Sequence, residues 1–428
     1  MVWGLGVGYV ISGNYFGWNL GLEKGGTLGL AVAIFFIIIL YITFTFSYTE
    51  LACAIPKAGG AFDYARRALG KDLGFIAGMA QNIEFIFAPP AIAFAIGSYF
   101  NLFFPPLPVL AVAITAYLLF VGLNIYGVKV AATFELVITM LAVAALIFFS
   151  GITFPHFQWS NLLKDSLPQG WTGAFAALPF AIWFFLGIEG VANLAEEAIN
   201  PKRTILLGFG FAILTLVILC MVTFTSSVGV SGWAAIVFKA DGTTSDSPLP
   251  LAMGLIVNSE SIEYRLLLMV GLFGLIASFH GLMLAGGRST FEFGRVNYAP
   301  AFLGKVHRRF QTPANALVAN MMLGIVALLT GKTAEIITIT VMGALTLYII
   351  SMFAMLQLRR KEPELPRPFR VPLYPFFPVI ALVIASASFV AVAYYNPRLA
   401  FIYFFLLVLS FGIFKFWNRR TGKNEPGY

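Results

Sequence analysis

The stretch Trp183-Phe184-Phe185-Leu186-Gly187-Ile188-Glu189-Gly190-Val191-Ala192-Asn193-Leu194 sets a carboxylate and two glycines into an apolar run. That run opens near Thr172 and is long enough to cross a bilayer. Glycine weakens a helix and a charge in hydrocarbon is costly, so a continuous lipid-facing helix has no use for Gly187, Glu189 or Gly190 near its middle. Non-helical backbone survives at membrane depth only where protein or a water-filled cavity surrounds it. The stretch therefore predicts two half-helices meeting at a break inside a bundle, an arrangement that often lines a substrate site.

The 428 residues are 59% hydrophobic and 11% charged, with a mean hydropathy of +0.87. So little polar surface excludes a soluble globule and predicts an all-α polytopic membrane protein, with residues 1–428 as one domain. The formal charge of +8 does not point to nucleic acid, because the basic residues fall between apolar runs and do not cluster on one face. Cys53 and Cys220 are isolated and His156, His280 and His307 are scattered, so no metal site, disulfide or cofactor is expected. No nucleophile, metal cluster or cofactor motif suggests an enzyme. The first apolar segment lacks a basic leader and an Ala-x-Ala end, so it reads as a span and not as a cleavable signal.

Apolar runs of about 20 residues give twelve candidate spans: 2–21, 28–55, 73–101, 107–126, 131–153, 172–195, 204–228, 264–286, 313–331, 335–358, 373–394 and 398–417. With the N-terminus inside, the inner loops hold 21 of the 27 Lys and Arg residues and the outer loops 6, which predicts that both termini are cytoplasmic. Asn193 to Thr204 turns polar and reads as a cytoplasmic exit. The longest outer connection, about 229 to 262, carries Asp241-Gly242-Thr243-Thr244-Ser245-Asp246-Ser247-Pro248 and reads as solvated.

Span 1 has its own interruption. Gly4, Gly6 and Gly8 alone read as a close-packing stripe. Ser12-Gly13-Asn14 then adds three weak helix formers at mid-depth and predicts unwound backbone. Spans 1 and 6 run in opposite directions and are interrupted at matching places, as inverted repeats over 1–153 and 172–358 require, with two additional helices over 373–417. Glu84 precedes Pro89-Pro90, whose rings must kink span 3, and reads either as a ligand or as a brace for that kink. Glu135 lies near the inner edge of span 5 and reads as an ordinary boundary residue. His280 reads equally as a packing residue bonded to a carbonyl or as a proton carrier, and Glu189 is the other candidate for a proton step.

Four further segments carry a resemblance. Glu50-Leu51 with Pro56-Lys57-Ala58-Gly59-Gly60-Ala61-Phe62 follows span 2, and Glu196-Glu197-Ala198-Ile199-Asn200-Pro201-Lys202-Arg203-Thr204 follows span 6. Val306-His307 with Thr312-Pro313 precedes span 9, and Arg367-Pro368-Phe369-Arg370-Val371-Pro372 precedes span 11. Together they resemble the amino acid, polyamine and organocation (APC) transporter superfamily. Val10 to Trp18 and Glu84 to Ala93 resemble its bacterial ethanolamine permeases. The resemblance implies a LeuT-type fold, with 12 transmembrane helices in a 5+5 inverted repeat, broken helices 1 and 6, and extra helices 11 and 12. It also implies a secondary active permease of the bacterial cytoplasmic membrane, working by alternating access on ethanolamine or a similar small amine, with an amino acid as the alternative. By position, Ser12 and Gly13 fall on the family's helix-1 break and Trp183 on its aromatic gate.

An ammonium that sheds water needs acceptors in exchange. Half-helix carbonyls near Val10 to Ser12 and Phe184 to Gly187 carry partial negative charge. Trp183 can add a cation–π interaction of ~0.5 to 2 kcal/mol. Glu84 or Glu189 offers a counter-charge, and Asn14 or Ser12 a hydrogen bond to a hydroxyl. The candidate substrate-binding residues are thus Ile11, Ser12, Gly13, Asn14, Glu84, Trp183, Phe185, Gly187 and Glu189. A moving ammonium feels the membrane potential at about 2.3 kcal/mol per 100 mV, so uptake is expected to follow the potential and to persist without sodium.

Overall fold

A chain this apolar must satisfy its backbone within its own segments, and it does so almost wholly in helices. The computed structural model describes residues 2–57, 59–127, 131–197 and 201–421, with side chains for all of these except 131–134, 193–197, 201–205 and 418–421. Ala58 and Ala198-Ile199-Asn200, which figured in the segments above, lie outside the described residues. In chain order the main helices are α1 (Val2–Val10), α2 (Ser12–Tyr15), α3 (Leu20–Ala54), α4 (Ala61–Leu69), α5 (Lys71–Phe103), α6 (Val109–Tyr126) and α7 (Ala131–Thr153). They continue with α8 (Leu178–Trp183), α9 (Pro201–Ser231), α10 (Ile262–Arg295), α11 (Ala314–Leu328), α12 (Thr333–Lys361), α13 (Phe376–Tyr395) and α14 (Pro397–Thr421). Among the described residues the β structure amounts to one bridge, Phe238 with Thr244, in an outer loop.

Nine helices among the described residues are long and apolar enough to cross a membrane. The other expected spans differ for definite reasons. Span 1 is divided into α1, α2 and the start of α3, which turns a corner at Gly26, where φ is 63° and ψ −170°. Only glycine reaches such a conformation cheaply, so the loop expected over 22–27 shrinks to this corner. Span 6 is interrupted, leaving an apolar helical piece, Leu178–Ala192. Helix α11 has 15 residues, about 22 Å of rise, short of a hydrocarbon core of about 30 Å. Helix α5 runs through Pro89 and Pro90 without ending.

The buried share of each helix sorts the layers. In α5, α12 and α10, 78, 83 and 67% of an apolar 18-residue stretch is enclosed, against 28 and 22% in α13 and α14, which form the periphery. Phe401, Phe405 and Val408 of α14 stand 72, 56 and 70% exposed, the surface expected to face lipid.

Buried polar pairs anchor both ends. On the side read as inner, Glu50 accepts from Arg359 Nε at 2.7 Å, Arg359 Nη2 at 2.8 Å and the Val371 amide at 2.7 Å, with Arg367 Nε 3.3 Å away. This network gives Glu50 and the Arg367 to Pro372 segment a shared purpose, clamping α3 and α12 to the approach of α13. On the other side, the long connection is not simply solvated. Its tip is exposed, but Leu249, Ala252 and Met253 are fully buried and Asn19 Nδ2 donates to Ser245 O at 2.8 Å.

Next to that contact, Thr333 Oγ1 donates to Asp246 at 3.2 Å. Burial pushes the Asp246 carboxyl up to about 6, against this hydrogen bond and the nearby Lys239, which lower it. A raised carboxyl makes ionisation a cost of folding, so stability falls as pH climbs from the unfolded value of about 4 through about 6. Asp246→Asn is expected to raise Tm by a few degrees at about pH 7.5 and to leave it unchanged at about pH 4. A Tm difference that stays constant over that range would remove Asp246 as the cause.

Candidate functional site

The first break forms where α1 gives way to α2. In a continuous helix the Ser12 amide would bond Gly8 O, four residues earlier. Instead the Ser278 hydroxyl of α10 stands between them, accepting from Ser12 N at 2.9 Å and donating to Gly8 O at 2.6 Å. A side chain inserted into the ladder satisfies both orphaned groups while it interrupts the helix. Ser12-Gly13-Asn14, expected to be unwound, is instead a helical turn. The extended backbone comes later, at Phe16 (φ −160°, ψ 172°), followed by Gly17 at φ 88°.

The second break follows α8. Gly187 takes φ 96°, and a 3-10 helix starts at Ile188. The two breaks touch through Gly13, where an added Cβ would fall on the Trp183 carbonyl oxygen and stand 3.0 Å from Phe184 Cα. Trp183 is 3% exposed and packs edge-on against Phe16 at 5.5 Å, which removes it from the lipid surface. Phe185 packs on Tyr41 at 5.2 Å and Ile11 is fully buried.

Several polar atoms here are enclosed without partners. Both side-chain amide atoms of Asn14 and the Trp183 indole Nε1 make no hydrogen bond. Leaving a buried polar group unpaired costs about 1 to 3 kcal/mol, so such atoms call for a ligand or water.

Glu84 of α5 and Glu189 after the second break are electrostatic neighbours, both at most 1% exposed. Glu189 Oε2 accepts from Tyr348 at 3.0 Å, and the Tyr41 hydroxyl, 3.0 Å from that of Tyr348 and 3.4 Å from Ile182 O, has one proton to give to one or the other. The two tyrosines thus stand between the carboxyl pair and the end of α8. Neither Glu84 oxygen accepts from any N–H, and Glu189 Oε1 is likewise unpaired. Two carboxyl groups this close in the interior hold a proton or a cation between them.

Glu135 requires a correction. It is not a boundary residue: it is 1% exposed and its Oε2 lies 3.2 Å from His280 Nδ1. His280 is accordingly bonded to a carboxylate and not simply to a carbonyl. Sequence reasoning also passed over Ser278, Tyr41 and Tyr348. Ser278 was signalled by its polar place in Ser278-Phe279-His280-Gly281, but the tyrosines had no signal in runs already rich in aromatics. Among the described residues, no group of three or more His, Cys, Asp or Glu could hold a metal ion.

A family model described as amino acid permease matches residues 2–414. An uncharacterized transporter of Rhizobium meliloti (strain 1021) is 29% identical, over 96% of this chain and 89% of its own length. A branched-chain amino acid permease of Bacillus subtilis (strain 168) is 25% identical, over 89% of this chain and 84% of its own. Cationic amino acid transporter 1 of Arabidopsis thaliana is also 25% identical, over 92% of this chain and 67% of its own. With nearly its whole length matched, the chain belongs to the amino acid permease family and is a membrane transporter of the APC superfamily.

Proposed function

We propose that this transporter moves a small organic ammonium compound, ethanolamine or a similar amino alcohol, by alternating access. The Glu84–Glu189 pair carries this reading, because two enclosed carboxyl groups with unfilled acceptor capacity attract an ammonium. Asn14, with both amide atoms unpaired, is suited to a substrate hydroxyl. In this reading Ile11, Ser12, Gly13, Phe185 and Gly187 shape the chamber and Trp183 covers it. The reading includes a LeuT-type arrangement of twelve helices, with residues 1–153 and 172–358 as inverted repeats. It also places the chain in a bacterial cytoplasmic membrane with both termini inside. The meeting of two interrupted helices at Gly13 supports it.

The second reading, an amino acid substrate, is favoured by the family model and by the names of the relatives. An amino acid adds a carboxylate that Asn14 Nδ2 can serve as donor, but it brings that charge toward two carboxyl groups. Like charges at close range in the interior repel. Ethanolamine is therefore expected to bind at least about tenfold more tightly than serine, a difference of ~1.4 kcal/mol. Thermal-shift titration of the purified protein with ethanolamine, serine and leucine measures this. Stronger saturable binding of the neutral amino acids would replace the first reading with the second.

A further inference from the structure

Pro89 and Pro90 have no N–H, so the Phe85 and Ile86 carbonyls, one turn earlier, lose their ladder donors. Helix α5 continues through the pair all the same. Within a membrane, carbonyls freed in this way need a donor from a neighbouring helix or an ordered water. Phe85, Ile86 and Pro89 line one small cavity together with Tyr117 of α6, Met283 of α10 and Asn320 of α11. Two polar groups of that lining are enclosed without a partner among the described residues: the hydroxyl of Tyr117, 2% exposed, and Asn320 Nδ2. Glycines allow the approach. A Cβ on Gly286 would stand 3.1 Å from Phe85 O and 3.4 Å from Asn320 Nδ2, and one on Gly324 would stand 2.5 Å from the Tyr117 hydroxyl oxygen. From α10, Thr290 steadies the Asn320 amide: its hydroxyl lies 3.0 Å from Asn320 Oδ1 and 3.1 Å from Asn82 Oδ1, with one proton to give to one or the other. The space left for a water's centre is about 10 Å³, room for one water and for nothing larger.

We propose that this cavity binds a single water, which replaces the donors missing at Pro89-Pro90 and, through α5, positions Glu84 in the substrate chamber. A water has two protons for the two freed carbonyls and two lone pairs for the Asn320 amide and the Tyr117 hydroxyl, so one molecule satisfies both sets. An apolar side chain or lipid tail would satisfy neither. Glu84 immediately precedes Phe85, so the course of α5 at Phe85 sets where the Glu84 carboxyl faces Glu189. Asn320 and Tyr117 are thus positioning residues, acting on Glu84 through the water and the helix. This second step rests on reading Glu84 as the counter-charge of the substrate; the binding of the water does not.

Hydroxyl radicals generated from water by X-ray pulses in the purified full chain, and read by mass spectrometry, mark side chains that touch a bound water. Met283, 6% exposed, is expected to be oxidised several-fold more than Met253, which is fully buried outside the cavity. Asn320→Leu removes a donor and fills the space, and is expected to bring Met283 down to the level of Met253. The same variant is expected to bind ethanolamine, or leucine if that is what the wild type binds, about tenfold more weakly. Pro89→Ala returns an N–H to the Phe85 carbonyl. Added to Asn320→Leu, it is expected to recover affinity, which a packing defect at Asn320 would not allow. Equal labelling of Met283 in the wild type and Asn320→Leu, or wild-type labelling no higher than at Met253, overturns the bound water. Lost labelling with unchanged affinity, or lost affinity that Pro89→Ala does not restore, overturns the positioning role. If Asn320→Leu does not fold, Tyr117→Phe, which keeps the ring against Phe279, is measured in its place with the same losses expected in smaller measure. If the wild type binds neither ethanolamine nor leucine, the substrate reading fails and the positioning role with it, while the labelling still decides on the water.

Discussion

Glu84→Gln is expected to weaken substrate binding by about 30-fold or more, while Tm of the substrate-free protein holds or rises. Glutamine preserves size and hydrogen-bonding capacity and deletes only the charge. An ammonium deprived of a buried counter-charge loses roughly 2 to 5 kcal/mol. The empty protein loses little, because neither Glu84 oxygen accepts from any N–H in the structure. The new amide can instead donate to Glu189, which replaces two groups of like charge with a hydrogen-bonded pair. Calorimetric titration with ethanolamine and a melting curve on the same preparation measure both quantities. Unchanged affinity with a Tm lowered by several degrees would reassign Glu84 to bracing α5 around Pro89 and Pro90.

The second break is legible in the sequence because Gly187, Glu189 and Gly190 have no other use inside an apolar run. The first is legible only approximately. Propensity pointed to Ser12-Gly13-Asn14, but the interruption depends on Ser278, some 266 residues away, entering the ladder between Gly8 and Ser12. No local preference encodes an insertion of that kind. Glu135 was misplaced for a related reason: distance from a span's end gives depth, but burial there is decided by α1 and α10. Counting apolar residues gave twelve spans, whereas an interrupted or shortened helix such as Leu178–Ala192 or Ala314–Leu328 falls below the length of a full crossing. The APC resemblance rested on segments spread along the whole chain, and the family model matches the same extent. Glu50 and Arg367 show why such a segment is readable at a distance: both belong to one buried clamp.

Gly13→Ala is expected to cut transport by about tenfold or more and to lower Tm, because overpacking costs about 1 to 3 kcal/mol and ~1.4 kcal/mol is tenfold. The added methyl meets the Trp183 carbonyl and Phe184 Cα, which are backbone atoms and cannot swing aside as a side chain can. Relief comes only from separating the two interrupted helices. Separation pulls Ser12 N from Ser278, 2.9 Å away, and Trp183 from Phe16, whose ring centre is 5.5 Å distant. The sign of the stability change is diagnostic. In an ordinary helix interior the same substitution stabilises by about 0.5 to 1 kcal/mol, since glycine gives up more backbone freedom on folding. A lowered Tm together with lost uptake therefore reports the contact between the breaks. A raised Tm with full uptake would show that α2 does not press against the end of α8 in the working protein, and the chamber assigned to these residues would have to lie elsewhere.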